Sequence, residues 1–513
     1  MAASGESLLF GDDEFAWQDV PVLQEQVVAP TAQPLPRPRV RPQTRTLAGD
    51  IARLRQALGG TGSWWLAALM FAAAGILGAL LLVSGAAPVK PMRQPRATVT
   101  APSASNAASS LAEVEVLRSG DEGESVRGLQ TALALLGFDP RANDGFFGGG
   151  TSAAVVSFQS DQGLTADGTV GAETTQALAE ALRSYGDTQA TVMKQGLADA
   201  VAAGRLTADS GAKHEALVED AVDALGRGPL VRRAYLALVV HAVAEHASVY
   251  DEPRALALFS MLEANRSYLV RRSPPTTSAD VEGEDGIVYR FFPAHGFQFH
   301  PLANFARLNV LAKKQSTEGV RRLANALAAR AVPAGKGLTW EYYFPFGGPS
   351  RWTSALAQAA GAQALARSGA MLEDATLLEN AEGAFTAIPE RLSIKMGGGL
   401  WVREYGFSDM AILNAQLQTV VSLSEYVETT DDDAGREVVR ELEHATRALF
   451  YRFDTGCWSL YSLGGSSASA SYHAYHVNLL KRLARLTGDP YWNGAATRWD
   501  GYQRAGSLRS SCT

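Results

Sequence analysis

The chain has 513 residues, of which 46% are hydrophobic, and a formal net charge of −7. A chain of this length exceeds what one hydrophobic core usually organises, so we expect two or three folded units. The weakly acidic charge excludes the strongly basic domain that is typical of nucleic-acid-binding proteins, and no nucleic-acid partner is predicted.

Residues 1–62 are rich in proline, glutamine and charge, as in VVAPTAQPLPRPRVRPQTR. Composition of this kind buries too little apolar surface to fold. We therefore predict a disordered tail over these residues.

Residues 63–86 contain the uncharged stretch WWLAALMFAAAGILGALLLVSG. About 20 apolar residues are enough for a helix to cross a membrane, and Trp64 and Trp65 suit the membrane interface. A cleaved signal peptide is the main alternative, but a long segment precedes this stretch and its apolar run is long for such a peptide. The sequence therefore predicts a single transmembrane helix and a membrane partner.

Flanking positive charge predicts the orientation of this helix. Six arginines precede the stretch and three cations follow it: Arg37, Arg39, Arg41, Arg45, Arg53 and Arg55, then Lys90, Arg93 and Arg96. This bias predicts a single-pass protein of the inner (cytoplasmic) membrane, with a cytoplasmic tail and with the later domains periplasmic or extracellular. Residues 87–112 are rich in Pro, Ala and Ser, which predicts an extended linker.

Residues 113–185 contain two similar half-patterns. In each, an Asp-Gly turn that begins at Asp144 or Asp167 precedes a short helix with apolar spacing. Thr151 and Thr174 follow the turns and are predicted helix N-caps. The ordered elements LQ, LG, DG-x-FG-x-x-T and AV-x-x-FQ, then a second DG-x-VG-x-x-T, resemble the peptidoglycan-binding three-helix domain of cell-wall enzymes. The resemblance implies a bacterial cell envelope and peptidoglycan as a partner, bound without catalysis.

From residue 186 onward, Ala/Leu-rich amphipathic segments alternate with aromatic-rich connections such as WEYYFPFGGPS and KMGGGLWVREYGF. Helices that alternate with such connections predict an α/α toroid, or incomplete barrel, whose loops or small β elements form a groove. The predicted fold class is thus mainly α. We divide this region into a helical N-terminal part, 186–290, and a main α/α domain, 291–513.

Six ordered elements carry a second resemblance: WTSALAQAAGAQAL, W-x-x-EY, ILNAQLQTVVSLSEY, FDTGCWSLYSL, YHAYHVNLL and TRWDGY. In this order they resemble the C-terminal helical domain of the D-glucuronyl C5-epimerase family. The resemblance implies an isomerase that inverts C5 of glucuronate residues within an acidic polysaccharide, without a redox cofactor.

Inverting C5 requires a proton to leave one face of the sugar and a proton to enter the other, so the reaction needs two acid/base groups. The family's tyrosines align with Tyr405, Tyr461 and Tyr472. By resemblance, Tyr405 and Tyr472 transfer protons, whereas Tyr461 positions substrate or is a third acid/base group; Tyr475 is a rival for Tyr472. Polar or aromatic residues at matching positions are predicted to bind or orient substrate, namely Gln358, Trp352, Arg403, Glu404, Asn414 and His476.

One position departs from the family pattern. After the YSL element the family continues with arginine, whereas here Leu463 is followed by Gly464 and Gly465. Because that arginine is expected to meet a substrate carboxylate or to lower a tyrosine pKa, its loss puts strict epimerase activity in doubt. Compensation by Arg403 is a hypothesis.

Three readings of the function stay open: the epimerase, a polysaccharide lyase or hydrolase on the same fold, and an inactive cell-wall or glycan-binding protein. His473 and His476 have a spacing that allows shared ligation, but no third ligand is evident, so no metal site is predicted. Cys457 and Cys512 are either a disulfide or two thiols. The sequence also leaves open whether the chain forms a homodimer.

Overall fold

The computed structural model describes residues 116–276 and 278–504. The predicted tail, transmembrane helix and linker lie outside these residues, as does Cys512, so the pairing of Cys457 stays a prediction. Within the described ranges, no helix is long and apolar enough to span a membrane. The described chain is mainly helical with a few short strands, which confirms the mainly α fold class.

The N-terminal region is built from six helices and one 3₁₀ turn, Ala247–Val249. In chain order, α1 to α6 span Glu124–Leu135, Gly149–Asp161, Ala172–Ala202, Ala208–Leu225, Leu230–Glu245 and Glu252–Leu269. Helix α3 runs without a break past the boundary at residue 185 that the sequence predicts between two domains. The predicted peptidoglycan-binding domain of residues 113–185, called the wall-binding module from here on, therefore shares one long helix with the region that follows it.

The middle region contains a small antiparallel sheet, two helices and a hairpin. Strands β1 to β3 span Asp280–Glu282, Val288–Phe292 and Gly296–Phe299, and lie side by side in that order. Helices α7 and α8 span Pro301–Lys313 and Thr317–Ala328, and the hairpin β4–β5 spans Val332–Ala334 and Gly337–Thr339.

The C-terminal region consists of three helix pairs and a second hairpin. Helices α9 to α14 span Ala355–Leu372, Ala375–Arg391, Leu413–Thr430, Asp433–Leu449, Ala470–Thr487 and Pro490–Arg504; strands β6 and β7 span Ser393–Met396 and Gly399–Val402. Helix α9 packs on α11, and α11 packs on α13, while α10, α12 and α14 each pack on the helix before them. One hydrophobic core runs through all these helices and reaches back to α3.

The two half-patterns of the wall-binding module form matching hydrogen-bond sets. The side-chain amide of Gln130 donates to Thr151 Oγ1 at 3.0 Å, and its oxygen accepts from Gly145 N–H at 2.8 Å. Gln159 makes the same contacts one repeat later, with Thr174 at 3.1 Å and Gly168 at 2.9 Å. Each buried glutamine thereby ties a turn to the first turn of the following helix.

These contacts correct the predicted helix caps. The N-cap residues of α2 and α3 are Gly148 and Gly171, and neither cap makes a side-chain hydrogen bond. Thr151 lies three residues further on, inside the first turn, where its hydroxyl accepts from the glutamine. Phe147 and Phe158 are buried in the core of this module.

Candidate active site

Hairpin β6–β7 brings Glu404 and Tyr405 to the first turn of helix α9. Gly397 and Gly398 form its two-residue turn with φ of 61° and 78°, the left-handed conformation that glycine adopts readily. After β7, the backbone of Arg403 accepts from Ala355 N–H at 3.1 Å, and Gly406 N–H donates to Thr353 O at 2.8 Å. This pairing fixes the REYGF segment against the N-terminus of α9.

Tyr461 is held against the N-terminus of helix α11. Its carbonyl accepts from Leu413 N–H at 3.1 Å, and Leu463 N–H donates to Ala411 O at 2.9 Å. The turn that follows contains Gly464 at φ 72°. An arginine at position 464 would have to adopt this left-handed conformation, which residues with a side chain disfavour. The glycine that replaces the family's arginine therefore fits the tight turn at this position.

The three predicted tyrosines meet. The hydroxyl of Tyr461 is hydrogen-bonded to the hydroxyls of both Tyr405 and Tyr472. The rings of Tyr461 and Tyr472 pack edge to face with centroids 4.9 Å apart. All three side chains are half-buried, so the cluster lies where a solvent-borne ligand can reach it.

The tyrosines of this cluster have raised pKa values. Burial and the nearby Glu404 carboxylate raise the pKa of Tyr461 to about 12. Burial also raises the pKa of Tyr405 and of Tyr472, and the neighbouring Tyr461 and Glu404 add to the effect. Burial, which disfavours the charged phenolate, is the main cause of these raised pKa values, and the Glu404 carboxylate adds to it.

Glu404 lies beside the tyrosine cluster and is buried. Its Oε1 accepts a hydrogen bond from the Ser354 hydroxyl at 3.4 Å, while Oε2 has no hydrogen-bond partner among the described residues. Burial raises the pKa of this carboxyl to about 7. At neutral pH the group therefore exists in both protonation states, which is the condition for efficient proton transfer.

Two of the predicted substrate-binding residues use their polar atoms inside the protein. Gln358 is fully buried and spans the backbone of Trp340, accepting from N–H at 3.4 Å and donating to O at 3.2 Å. Trp352 is buried, stacks on Tyr342 with centroids 4.1 Å apart, and donates to Phe344 O at 2.8 Å. Both side chains support the walls of the site.

Asn414 and Arg403 border the site in different ways. Asn414 lies in the first turn of α11, and its buried Oδ1 has no hydrogen-bond partner among the described residues. The Arg403 guanidinium is directed to Asp409 Oδ1, 2.7 Å away, and to Arg391 O at 3.4 Å. Arg403 is thus already paired with a carboxylate, and its compensating role stays a hypothesis.

His476 belongs to a buried cluster beneath the tyrosines. The hydroxyl of Ser459 lies 2.8 Å from His473 Nδ1 and 2.9 Å from His476 Nδ1. His473 Nε2 also donates to Trp499 O at 3.0 Å. Ser459 precedes Tyr461 by two residues, and the histidines share helix α13 with Tyr472, so this cluster ties the two tyrosine-bearing segments together.

Sequence reasoning missed Ser354 and Ser459 because a serine carries no signal of its own. Tyr475, the rival of Tyr472, is buried and donates to Gln418 Oε1 at 3.1 Å, inside the helix bundle. The helical periodicity of α13 could have separated the two tyrosines. Tyr475 and His476 fall on the buried face of the helix, whereas Tyr472 is half-buried at its N-terminal end.

The tyrosine cluster lies within a segment of known type. Residues 335–501 match the family model of the D-glucuronyl C5-epimerase C-terminus. Residues 122–178 match the model of a putative peptidoglycan binding domain. Both resemblances predicted from the sequence are thereby confirmed, and every residue of the tyrosine cluster falls inside the epimerase-family segment.

Individual relatives share parts of the chain. A D-glucuronyl C5-epimerase of Caenorhabditis elegans is 27% identical over 179 residues, which is 30% of this chain and 29% of that protein. A probable N-acetylmuramoyl-L-alanine amidase of Bacillus licheniformis is 40% identical over 88 residues, which is 17% of this chain and 25% of the amidase. The chain thus spans less than a third of the length of either relative.

A solved endo-β-1,4-glucanase from Acetobacter xylinum aligns with 40% of this chain and 72% of its own, at 14% identity and a TM-score of 0.29.

Proposed function

We propose that residues 335–501 form a polysaccharide-modifying enzyme that epimerises C5 of uronate residues within an acidic glycan. The observation that carries this proposal is the hydrogen-bonded cluster of Tyr405, Tyr461 and Tyr472, which lies within electrostatic reach of the buried Glu404 carboxyl. It supports the proposal because proton-transfer groups of two kinds converge at one half-buried place, in a segment that matches an epimerase family model.

The pKa values assign different roles to these groups. Glu404, with a pKa near 7, takes the proton from C5 on one face of the sugar. The tyrosine hydroxyls are protonated at neutral pH, because burial raises their pKa values, so they return a proton to the opposite face. Tyr461 is hydrogen-bonded to both other hydroxyls and holds them in place. Exchange with solvent then removes the proton from Glu404 and reprotonates the tyrosine, which restores the site for the next turnover.

The backbone contributes positive potential at this place. Helices α9, α11 and α13 begin beside Glu404, Tyr461 and Tyr472 respectively. The N-terminal end of a helix carries roughly half a positive charge, and anionic groups commonly bind there. These ends attract a substrate carboxylate where the family's arginine is replaced by Gly464.

The helix arrangement supports an incomplete α/α barrel as the scaffold. In this proposal α9, α11 and α13 are inner helices, because they pack on one another and begin at the site. Helices α10, α12 and α14 are outer helices that each return the chain to the start of the next inner helix. The loops before the inner helices then form the groove for the polysaccharide.

The proposal extends to the location of the protein. A peptidoglycan-binding module at 122–178 supports peptidoglycan as a partner. Together with the predicted transmembrane helix at 63–86, it gives a single-pass protein of the inner membrane with an extracytoplasmic enzyme domain. Protease protection of the C-terminal domain in intact cells, lost when the envelope is opened, tests this orientation.

Hydrogen exchange at C5 tests the activity. The full chain is incubated in heavy water with heparosan, with glucuronan and with the acidic exopolysaccharide of the source organism, and NMR follows the H5 signal. We expect deuterium at H5 without chain cleavage, and loss of this exchange in Tyr405→Phe and Tyr472→Phe. Tyr451→Phe is the matched control, because Tyr451 is 70% exposed and not in the cluster. An unsaturated uronate product would instead identify a lyase.

A glycan-binding protein without catalysis is the second candidate. It is favoured by one observation: Gly464 replaces the family's arginine, and the nearby Arg403 is paired with Asp409. Absence of H5 exchange on all three polymers, together with retained binding to one of them, would select this candidate over the epimerase.

A further inference from the structure

Three aromatic rings pack around Tyr405. The ring centroid of Phe407 lies 5.7 Å from that of Tyr405, with the planes 24° apart. Phe346 approaches Tyr405 at 5.6 Å and 33°, and Trp352 approaches it at 5.6 Å and 65°. The tyrosine cluster thus continues into an aromatic surface made of uncharged side chains.

The rings of this surface differ in exposure. Phe407 is 37% exposed and Phe346 is half-buried, whereas Trp352 is only 5% exposed and covers Tyr342. Phe407 and Phe346 are therefore the rings that a ligand can contact. Trp352, which the sequence analysis assigned to substrate binding, lies behind them as their support.

Phe407 occupies a defined place because its ring lies against the backbone of Gly348. A Cβ atom added to Gly348 would lie 2.5 Å from that ring, so a side chain at this position would push the ring aside. Next to Phe407, the Gly406–Thr353 hydrogen bond of 2.8 Å fixes the chain. The ring of Phe407 is thus held in a partly exposed position, where it contributes less to the stability of the fold than a buried ring would.

We propose that Phe407 and Phe346 form a stacking subsite for the pyranose ring adjacent to the sugar at the tyrosine cluster. This inference rests on the proposed function and adds a second contact to it. A pyranose presents a face of C–H bonds, which packs against the electron-rich face of an aromatic ring. The subsite therefore recognises the shape of the neighbouring sugar and not its charge.

The extent of the surface argues for a sugar as its occupant. Phe407 and Met410 are the large apolar side chains of residues 403–410 that the described structure leaves exposed, at 37% and 49%. A stable protein partner needs roughly 800 Å² on each side, far more than two side chains supply. One pyranose ring covers one aromatic ring, and continuity with Tyr405 places it on the path of the same glycan.

Isothermal titration of the full-length chain in a mild non-ionic detergent tests the subsite, with a heparosan hexasaccharide and with chitohexaose as probes. One of these probes should bind the wild-type chain. We expect Phe407→Ala to weaken the affinity for that probe by about threefold to tenfold, because one aromatic contact is lost. Phe407→Trp should retain binding. Gly348→Ala, which displaces the ring and leaves its chemistry intact, should weaken binding as Phe407→Ala does.

Tyr451→Ala is the matched control, since it removes an exposed ring far along the chain from the REYGF loop and should leave binding unchanged. Equal affinity of Phe407→Ala and wild type, or no binding of either probe to wild type, would overturn the subsite. Binding that depends on Phe407 without any H5 exchange would refute the proposed epimerase and keep the subsite. H5 exchange together with glycan binding that Phe407→Ala does not change would keep the proposed epimerase and refute the subsite.

Discussion

The two carboxylate oxygens of Glu404 have different surroundings. Oε1 contacts the Ser354 hydroxyl, whereas Oε2 is buried without a protein partner among the described residues. A buried, unpaired carboxylate oxygen is costly, so proteins retain one mainly where a ligand or a proton completes it. The pKa near 7 expresses the same cost.

Glu404→Gln should remove a pH step from H5 exchange. Because the folded-state pKa of Glu404 is raised to about 7, its proton-accepting form increases as pH rises through 7, and we expect wild-type exchange to rise with it. The variant should lose about 10²-fold or more of the rate. Rates between pH 5 and 9 measure both effects, and an unchanged step in Glu404→Gln would contradict the assignment.

Ser459→Ala should destabilise the fold and misplace Tyr461. The change leaves His476 Nδ1 without its hydroxyl partner in a fully buried place, whereas His473 Nδ1 keeps the hydrogen bond from Ser459 N–H at 3.2 Å. Unsatisfied buried groups cost about 1–3 kcal/mol of unfolding free energy. Denaturant unfolding measures this loss, and Ser157→Ala, at an exposed helical serine, should change stability by no more than about 0.5 kcal/mol.

At the scale of elements, close helix contacts connect the wall-binding module to the rest of the chain. A Cβ atom on Gly128 of α1 would lie 2.7 Å from the Val231 backbone of α5. Tyr235 of α5 donates to Glu124 Oε2 of α1 at 3.5 Å. Together with the unbroken helix α3, these contacts fix the module on the helical region.

Gly128→Ala should separate the module from α5. The added methyl group meets backbone, which cannot move aside as a flexible side chain can, so we expect a loss of about 1–3 kcal/mol. Gly149→Ala is the matched control, since Gly149 has open space around its Cβ position. Limited proteolysis should cut Gly128→Ala between module and helical region faster than either wild type or the control; equal cutting rates would refute the docking role.

At the scale of the whole molecule, several buried histidines make stability depend on pH. Burial lowers the pKa of His214 and of His295 to about 4, and that of His300 and of His476 to about 3. Since these folded-state values lie below the usual 6.5, protons bind the unfolded chain more tightly. Stability is therefore lost as pH falls below about 6.5, increasingly down to the folded-state values.

His214→Phe should reduce this acid sensitivity, because the ring that stacks on Phe259 at 4.5 Å is kept while its titration is removed. At pH 5 each such histidine costs about 2 kcal/mol relative to pH 7. The difference in unfolding free energy between the two pH values should shrink by roughly that amount. The exposed His444 provides the control, and His444→Phe should keep the difference in unfolding free energy between pH 7 and pH 5 that the wild-type chain shows. The same undiminished difference in His214→Phe would contradict the prediction.

The sequence by itself determined the features that repeat or that lie close together along the chain. The helical period predicted a mainly α protein, the paired Asp-Gly motifs predicted the two halves of the wall-binding module, and six ordered elements predicted the epimerase-family segment. Local patterns are sufficient here because helix periodicity and turn chemistry are properties of neighbouring residues. The three tyrosines also came from ordered motifs, by resemblance.

Only the tertiary structure decided how these residues are paired. It directed Arg403 to Asp409, placed Trp352 behind Phe407, and used Thr151 as a partner of Gln130 instead of a helix cap. It also set the direction of the tyrosine pKa values, which depends on burial and on a carboxylate from another segment. Such pairings join residues that are distant in the sequence, and packing between helices, which no local pattern encodes, brings them together.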